Sequence, residues 1–469
     1  MSVAHSDPNE RDIHTSENVT TYPTFASMGL KMELLKGIYK FAVTYSTEGN
    51  PTYRGRSGRD CTVRLCTFSV LLWFAFRAQS GTGKTATFSI GTLQNVRCEV
   101  RKLQVLVLSP TRELANQTHQ VISSLSDYLP IRCVACCGGR SNVTQMVREL
   151  SNGAHIVVGT PGRVLDLIRQ GSLRLDSVRS LVLDEADEML NRGLRTQLEE
   201  IYRRLPFSNG DIQTSNAPST QVVIISATMP HEQLEVFYRF TKNPVQVLVP
   251  RDELTLAGLH QFYIDVGSEE WKFEALGDLF ASVCVPQTVV FVNTRRKADW
   301  LSTQLRRDSY TVETAHGDLD QALRETVMER FRSGTSRILV CSDIWARGID
   351  VQNVGLVVNY DLPATPSDYL HRIGRSGRFG RRGLAVSFVA GADDRRKLDS
   401  IARQYRIAIP PAPAALDKML TWSESPMSVD PAPTSLSAQE LKSVAQLVKA
   451  KGRKRKRPKK KKKEKISSQ

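Results

Sequence analysis

Ten short apolar runs, separated by stretches of helical periodicity, decide the fold class of this 469-residue chain. Five lie in the first half: Val105–Leu108, Ile131–Cys137, Ile156–Val158, Leu181–Leu183 and Val222–Ile225. Five more follow: Phe262–Val266, Val289–Val292, Ile338–Val340, Leu356–Val358 and Val386–Val389. Continuous apolar runs of this length read as strands buried on both faces, the habit of parallel sheets. Alternation with helical patterns makes each set a series of βαβ units, so the fold class is α/β with two tandem doubly wound parallel sheets. Arg251–Leu259 (RDELTLAGL) separates the sets and reads as the linker. The expected domains are residues 25–250 and 251–420, with a polar segment 1–24 before them and a linker, short helix and basic tail, 421–469, after them.

Several function classes drop out on composition. Met1–Thr20 lacks the basic-then-apolar pattern of a secretory signal, and the longest apolar stretch, Val70–Phe76, is too short to span a bilayer. No membrane role is expected. Eight cysteines are scattered, and the one CxxC, Cys133 and Cys136, has no second pair to complete a zinc site. Reduced cysteines in an intracellular protein are the better reading. The formal net charge is +16, but Lys451–Lys465 holds twelve Lys/Arg against one Glu, leaving +5 for the rest. The basic character therefore belongs mostly to a tail, which reads as a nuclear-import signal or nucleic-acid arm, with a solubilising tail as the alternative. Thr421–Ser437 is Pro/Ser-rich linker, and Ser437–Lys449 is expected to form a short amphipathic helix with a Ser437/Glu440 capping box. Phe207–Ser219 is a polar loop.

Two stretches carry chemistry. In Ser180–Asp187 (SLVLDEAD) an apolar strand ends in Asp184, Glu185 and Asp187. Acids at the carboxyl end of a buried strand need a counter-cation, and that end is where open α/β sheets bind ligands. Taken alone, the stretch also reads as a charged strand-to-helix turn. Upstream, Ala78–Thr85 (AQSGTGKT) follows an apolar run and precedes a helical pattern. Ala78 and Gln79 lead into Ser80, Gly81, Thr82 and Gly83, small residues that let backbone N–H groups close around phosphate at a helix N-terminus. Lys84 is placed to reach the β/γ-phosphates, and the Thr85 hydroxyl to ligate Mg²⁺. Asp184 is then the Mg²⁺ acid and Glu185 the group that orients the attacking water.

The chain resembles a DEAD-box RNA helicase of the initiation-factor-4A subfamily. In order it shows AQSGTGKT, PTRELA from Pro110, Gly138–Gly139, TPGR from Thr160, DEAD from Asp184 and SAT from Ser226. VVFVNT from Val289, ARGID from Ala346 and HRIGRSGR from His371 complete the series. TFASMGL, PRDELTL, EEWKF and RRKADWL further resemble the nuclear branch of the subfamily, which serves exon-junction assembly or ribosomal RNA processing. The resemblance implies two RecA-like domains that bind ATP and Mg²⁺ in their cleft. It implies arginine fingers at Arg375 and Arg378, a ribose contact at Asp350 beside Gly348, and adenine stacking on Phe25. Asp187, Ser226, Thr228 and His371 are the implied coupling residues. RNA contacts are implied at Pro110, Thr111, Arg112, Gly139, Thr160, Gly162 and Arg163, and in the second domain at Asn293, Thr294, Gly317, Gln321 and Arg324. These groups suit phosphate and 2′-OH recognition with little sequence preference. The implied function is ATP-dependent local unwinding of RNA or remodelling of ribonucleoprotein, in the nucleus or nucleolus, with the cytoplasm as alternative. Implied partners are RNA, ribonucleoprotein assembly proteins and MIF4G-type regulatory proteins. An ATP-gated RNA clamp needs the same motifs and is the alternative activity.

From Ala42 to Arg77 the resemblance lapses. No Gln occurs there, although the family reads adenine with one, and the segment is longer than the family's. The expectation is either weakened ATP selectivity in a chain with a real insertion, impairing the enzyme, or a block produced by a shifted reading frame or retained non-coding sequence.

Overall fold

The computed structural model describes residues 14–15, 25–47, 74–77, 83–138, 143–191, 193–206, 220–226, 236, 240, 245–248, 258–345, 351, 353–377, 382–413 and 416. Two sheets organise them. The first has eight strands in the order β1-β8-β2-β7-β6-β3-β5-β4. Here β2 is Phe74–Arg77, β3 Val105–Leu108, β4 Cys133–Cys136, β5 Ile156–Gly159, β6 Ser180–Asp184, β7 Gln221–Ser226 and β8 Val245–Leu248. All pair in parallel except β1, His14–Thr15, which runs antiparallel to β8. The second sheet is wholly parallel, in the order β11-β12-β10-β13-β14-β9. Its strands are β9 (Leu259–Asp265), β10 (Gln287–Phe291), β11 (Val312–Ala315), β12 (Ile338–Cys341), β13 (Val354–Asn359) and β14 (Gly383–Val389).

Strands β3, β5, β6, β7, β10, β12 and β14 are buried throughout, as their apolar runs imply, whereas β4 and β9, whose runs carry Arg132 and Asp265, have half-buried positions. Val105 and Val107 pack into one core and Leu106 and Leu108 into another, because successive side chains leave a strand on opposite faces. One face is closed by α1 (Met32–Thr47), α2 (Lys84–Asn95) and α3 (Arg112–Leu125), which bring in Leu34, Phe88 and Ile122. The other is closed by α4 (Val143–Ser151), α5 (Pro161–Arg169), α6 (Ala186–Asn191) and α7 (Arg195–Arg203) through Leu150, Val164, Met189 and Leu198. Helix α1 crosses α3 so closely that a Cβ on Gly37 would stand 2.1 Å from the Leu125 carbonyl oxygen. Burying each such Leu or Phe stabilises the fold by about 1.5–3 kcal/mol. The second sheet is covered by α8 (Lys272–Ser282), α9 (Arg295–Arg307), α10 (Gln321–Arg332), α11 (Pro366–Ile373) and α12 (Ala392–Tyr405).

The apolar runs undercount the strands. Strand β11 (VETA) was not among them, because it is an edge strand with two half-buried positions and needs only one apolar face. Strand β8 (VQVL) also lacks an unbroken run. Strand β2 is the tail of Val70–Phe76, shifted by one residue, and it lies between β7 and β8 with Phe74 opposite Val223 and Val245. The lapsed segment therefore still delivers a central strand. Leu259, the end of the expected linker, is the first residue of β9. The cysteines described are all free thiols, and burial pushes Cys133, Cys136 and Cys137 up to about 12. Cys61, Cys66, the loop 207–219, the residues 251–257 and the tail beyond 416 lie outside the described residues. No helix among the described residues is long and apolar enough to cross a membrane.

Candidate nucleotide cleft and nucleic-acid interface

Three adjacent strands of the first sheet converge on the cleft. Phe76, Ile225 and Asp184 share one rung across β2, β7 and β6, and Arg77 and Ser226 share the next. Arg77, the end of β2 from which the expected phosphate loop leaves, is thus separated by β7 from the acid that ends β6, at the carboxyl edge where such sheets hold ligands. Gly83 closes that loop with φ +91°, a left-handed turn that suits glycine, and α2 begins at once with Lys84. The first N–H groups of α2 have no side-chain cap from Gly83. This end of the helix is the positive one, where an anion is favoured.

Asp184 is 3% exposed, and its Oδ2 is buried without a hydrogen-bond partner among the described residues. Burial, then the neighbouring Glu185 charge, drives its carboxyl well above the ordinary range, and the Lys84 ammonium pulls the other way. A buried carboxylate oxygen lacking a partner is the atom that a hard divalent cation would satisfy, so the residues fit Mg²⁺. Glu185 turns the chain from β6 into α6 with φ +49°. A left-handed Glu is strained by about 1–2 kcal/mol, and such strain persists where the surroundings fix a side chain for a task.

The second domain reaches this edge through α11. His371 is fully buried, and its Nε2 lies 3.2 Å from Asp187 Oδ2. A carboxylate can only accept, so Nε2 carries the hydrogen. The other ring nitrogen stands 3.8 Å from Glu185 Oε2. Donor atoms of Glu185, Asp187 and His371 all lie within 4.8 Å of one another, which makes this the junction of the two sheets' chemistry. Arg375 follows, 5% exposed, with Nε donating to the His371 carbonyl at 3.1 Å.

The expected RNA contacts line the same sheet edge further along. Pro110–Arg112 and Thr160 follow β3 and β5, which are neighbours in the sheet, and Gly138, the residue before the expected Gly139, follows β4 beside β5. Thr111 caps α3 by accepting the Leu114 N–H at 3.3 Å. The Arg112 guanidinium rests on Gly138, where a Cβ would meet it at 3.0 Å. Thr160 precedes Pro161 at the start of α5, with Gly162 and Arg163 in its first turn. In the second domain Thr294 caps α9 through the Lys297 N–H at 3.2 Å, and Gln321 is the first residue of α10.

Two expected RNA contacts are engaged within the protein. Arg324 reaches across to Glu113 Oε1 at 3.3 Å and donates to the carbonyls of Leu319 and Gly317. Asn293 spends its side chain on Leu362 O and Arg372. Sequence reasoning passed over Glu113, Asp361 and Arg372. The first is inside PTRELA and the last inside HRIGRSGR, so the signal was there, but their partners lie far away in the chain. Phe25 stands in a 3-10 turn, half-buried against the core of the first sheet. Ala78, Gln79, Ser80, Gly81, Thr82, Gly139, Thr228, Gly348, Asp350 and Arg378, and the Gln321 side chain, lie outside the described residues.

Comparison with known proteins identifies a family. The DEAD/DEAH box helicase family matches residues 57–237, and the helicase conserved C-terminal domain matches 271–380. The first match opens inside the segment 42–77. The ATP-dependent RNA helicase fal1 of Aspergillus fumigatus is 48% identical over 410 residues, covering 87% of this chain and 97% of that protein. Fal-1 of Neurospora crassa is 49% identical, over 85% of this chain and 94% of its own. Among solved structures, S. cerevisiae Dbp5 bound to RNA and ADP BeF3 superposes with a TM-score of 0.70 at 32% identity, covering 84% of this chain and 96% of that one.

Proposed function

Because the chain belongs to the DEAD-box family of ATP-dependent RNA helicases, we propose that it couples ATP hydrolysis in this cleft to local unwinding of RNA or remodelling of ribonucleoprotein during nuclear RNA processing. The observation that carries the reading is the His371–Asp187 hydrogen bond, which ties the helix bearing Arg375 to the acids of β6. Neither sheet holds a full set of catalytic groups. Glu185 comes from the first and Arg375 and Arg378 from the second, so turnover requires the two to meet.

Each residue has a distinct task. Gly83 and the first turn of α2 receive the phosphates, and Lys84 neutralises their charge. Thr85 and Asp184 would hold Mg²⁺, which when bound supplies Lewis-acid neutralisation of the phosphate oxygens. Glu185 orients the attacking water, while the planar guanidinium groups of Arg375 and Arg378 stabilise charge on the transferring phosphoryl group. Ser226, the last residue of β7, and Thr228 couple the nucleotide to the RNA. Those turns, Pro110–Arg112, Gly139, Thr160–Arg163, Asn293–Thr294 and Gly317–Arg324, take the RNA backbone and its 2′-hydroxyls. The domains divide at 250/251, and Lys451–Lys465 directs the protein to the nucleus or nucleolus, where assembly proteins or a MIF4G-type regulator are the protein partners.

RNA-stimulated phosphate release by the purified full chain tests the proposal. Stimulation by single-stranded RNA of unrelated sequences is expected. Glu185→Gln should retain ATP and RNA binding while losing turnover, since the water loses its orienting carboxylate. Wild-type turnover indifferent to RNA would refute the coupling, and a Glu185→Gln variant keeping above about a tenth of it would remove that residue from its role.

A further inference from the structure

The second domain contains a buried polar junction outside the cleft. Phe291 of β10 and Asn359 of β13 share a rung, so Asn293 and Asp361, two residues beyond each, emerge side by side at the carboxyl edge. Asp361 is 6% exposed and uses every acceptor it has. Its Oδ2 accepts the Asn293 backbone N–H at 3.0 Å. Oδ1 accepts from Lys297 Nζ at 2.7 Å and Lys272 Nζ at 3.2 Å. Its carbonyl accepts from Arg372 Nη1 at 2.6 Å. Burial works against the Asp361 charge, but Lys297, the Asn293 N–H and Lys272 outweigh it and hold the carboxyl below its ordinary range.

The two ends of this junction lead to different parts of the proposed sites. Asn293 immediately precedes Thr294, which starts α9 at the RNA side. Arg372 is fully buried between His371, the partner of Asp187, and the turn carrying Arg375. Asn293 Oδ1 accepts from Arg372 Nη2 at 2.9 Å, and Asn293 Nδ2 donates to Leu362 O at 2.9 Å, closing a ring of bonds through Asp361. The Phe291 ring lies 5.2 Å from the Arg372 guanidinium carbon and fixes its plane. Displacing the RNA-side turn therefore strains the seat of Arg372, and displacing α11 strains Asn293.

We propose that Asp361 is a positioning residue that couples the RNA-facing turn Asn293–Thr294 to the nucleotide-facing helix His371–Arg375, so that RNA on one stimulates hydrolysis at the other. The proposal rests on the RNA-helicase reading above. Lys272 and Lys297 hold the carboxylate in register for both bonds. An ion cluster serving stability alone can be replaced by a neutral set without functional loss, whereas a positioning residue cannot.

Full-length Asp361→Asn and the charge-compensated Asp361→Asn/Lys297→Gln test this. In both, stimulation by saturating single-stranded RNA should fall about tenfold, within the usual range of coupling between sites. Basal ATPase without RNA should stay within about twofold of wild type. The double variant should recover the thermal stability lost in the single one without recovering stimulation. If it recovers both, Asp361 is only a charge balance and the proposal fails; unaltered stimulation in either variant also overturns it. Hydrogen exchange on the same proteins gives a reading that needs no turnover. Protection at Asn293 and along 371–375 should be lost together in both variants. Loss at Asn293 alone overturns the coupling, whatever the ATPase shows. A wild type without RNA stimulation but with joint loss of protection would instead defeat the helicase reading and leave the junction standing.

Discussion

Removing the Glu113–Arg324 bridge should weaken ATP-dependent RNA binding, although Arg324 would then be released toward RNA. The pair joins the first turn of α3 to α10, at 3.3 Å, with side chains 19% and 15% exposed. At that distance and an effective dielectric near 20 the gross attraction is about 5 kcal/mol. Desolvation and side-chain ordering remove most of it, leaving about 1–2 kcal/mol for a half-sheltered charged hydrogen bond. If the bridge forms only when the two domains meet, that energy stabilises the RNA-binding arrangement and equals about a 5–30-fold change in affinity. The assay is fluorescence anisotropy of labelled single-stranded RNA with a non-hydrolysable ATP analogue, on wild type, Glu113→Gln, Arg324→Gln and the double variant. Glu113→Gln should bind more weakly, and the cycle should show coupling of about 1–2 kcal/mol. Tighter RNA binding by Glu113→Gln, with additive effects in the cycle, would mean that Glu113 competes with RNA for Arg324 and would refute the reasoning.

Four further outcomes are expected. Arg378→Lys should lower RNA-stimulated ATPase by about a thousandfold, because a point ammonium cannot match the planar fork; near-normal turnover would remove Arg378 from the catalytic set. Asp184→Asn should raise the melting temperature of the ligand-free protein at pH 7 while abolishing turnover. Burial holds the Asp184 carboxyl above its unfolded value, so ionisation costs stability that is present at low pH and lost as pH rises through neutrality. An unchanged or lower melting temperature would show that the charge is compensated. Deleting Lys451–Gln469 should flatten the salt dependence of RNA binding and shift the protein from nucleus to cytoplasm, with ATPase at saturating RNA preserved; unchanged slope and location together would reduce the tail to a solubility device. Peptide mass spectrometry of native protein should find no tryptic peptides from Ala42–Arg77 if that block is a gene-structure error. If they are present, ATP should be preferred over GTP only weakly, and strong ATP selectivity would defeat that branch.

What could be read from the residues, and what could not, divides on locality. Strands buried on both faces announce themselves as runs such as VLVL, and the acids of β6 and Lys84 of α2 stand in fixed spacing to them. VETA was missed because an edge strand owes the core only one face. Asn293, inside VVFVNT, and Arg324 are both expected RNA contacts, and their side chains face Arg372 and Glu113. Those partners are set by which strands neighbour each other, as β10 neighbours β13, and no local pattern encodes that order. The Glu185 turn was equally hidden, since a positive φ at a non-glycine residue is imposed by the surrounding fold.

Strand β2 holds its place by main-chain rungs on both sides, four to β7 and four to β8. The ladder reads peptide groups, so what this slot first asks of the chain is an extended backbone with its N–H and C=O groups paired. Gly83 and Lys84 follow from where those rungs end the strand, so an exchange among these four residues that keeps the backbone extended leaves the entry to α2 in place.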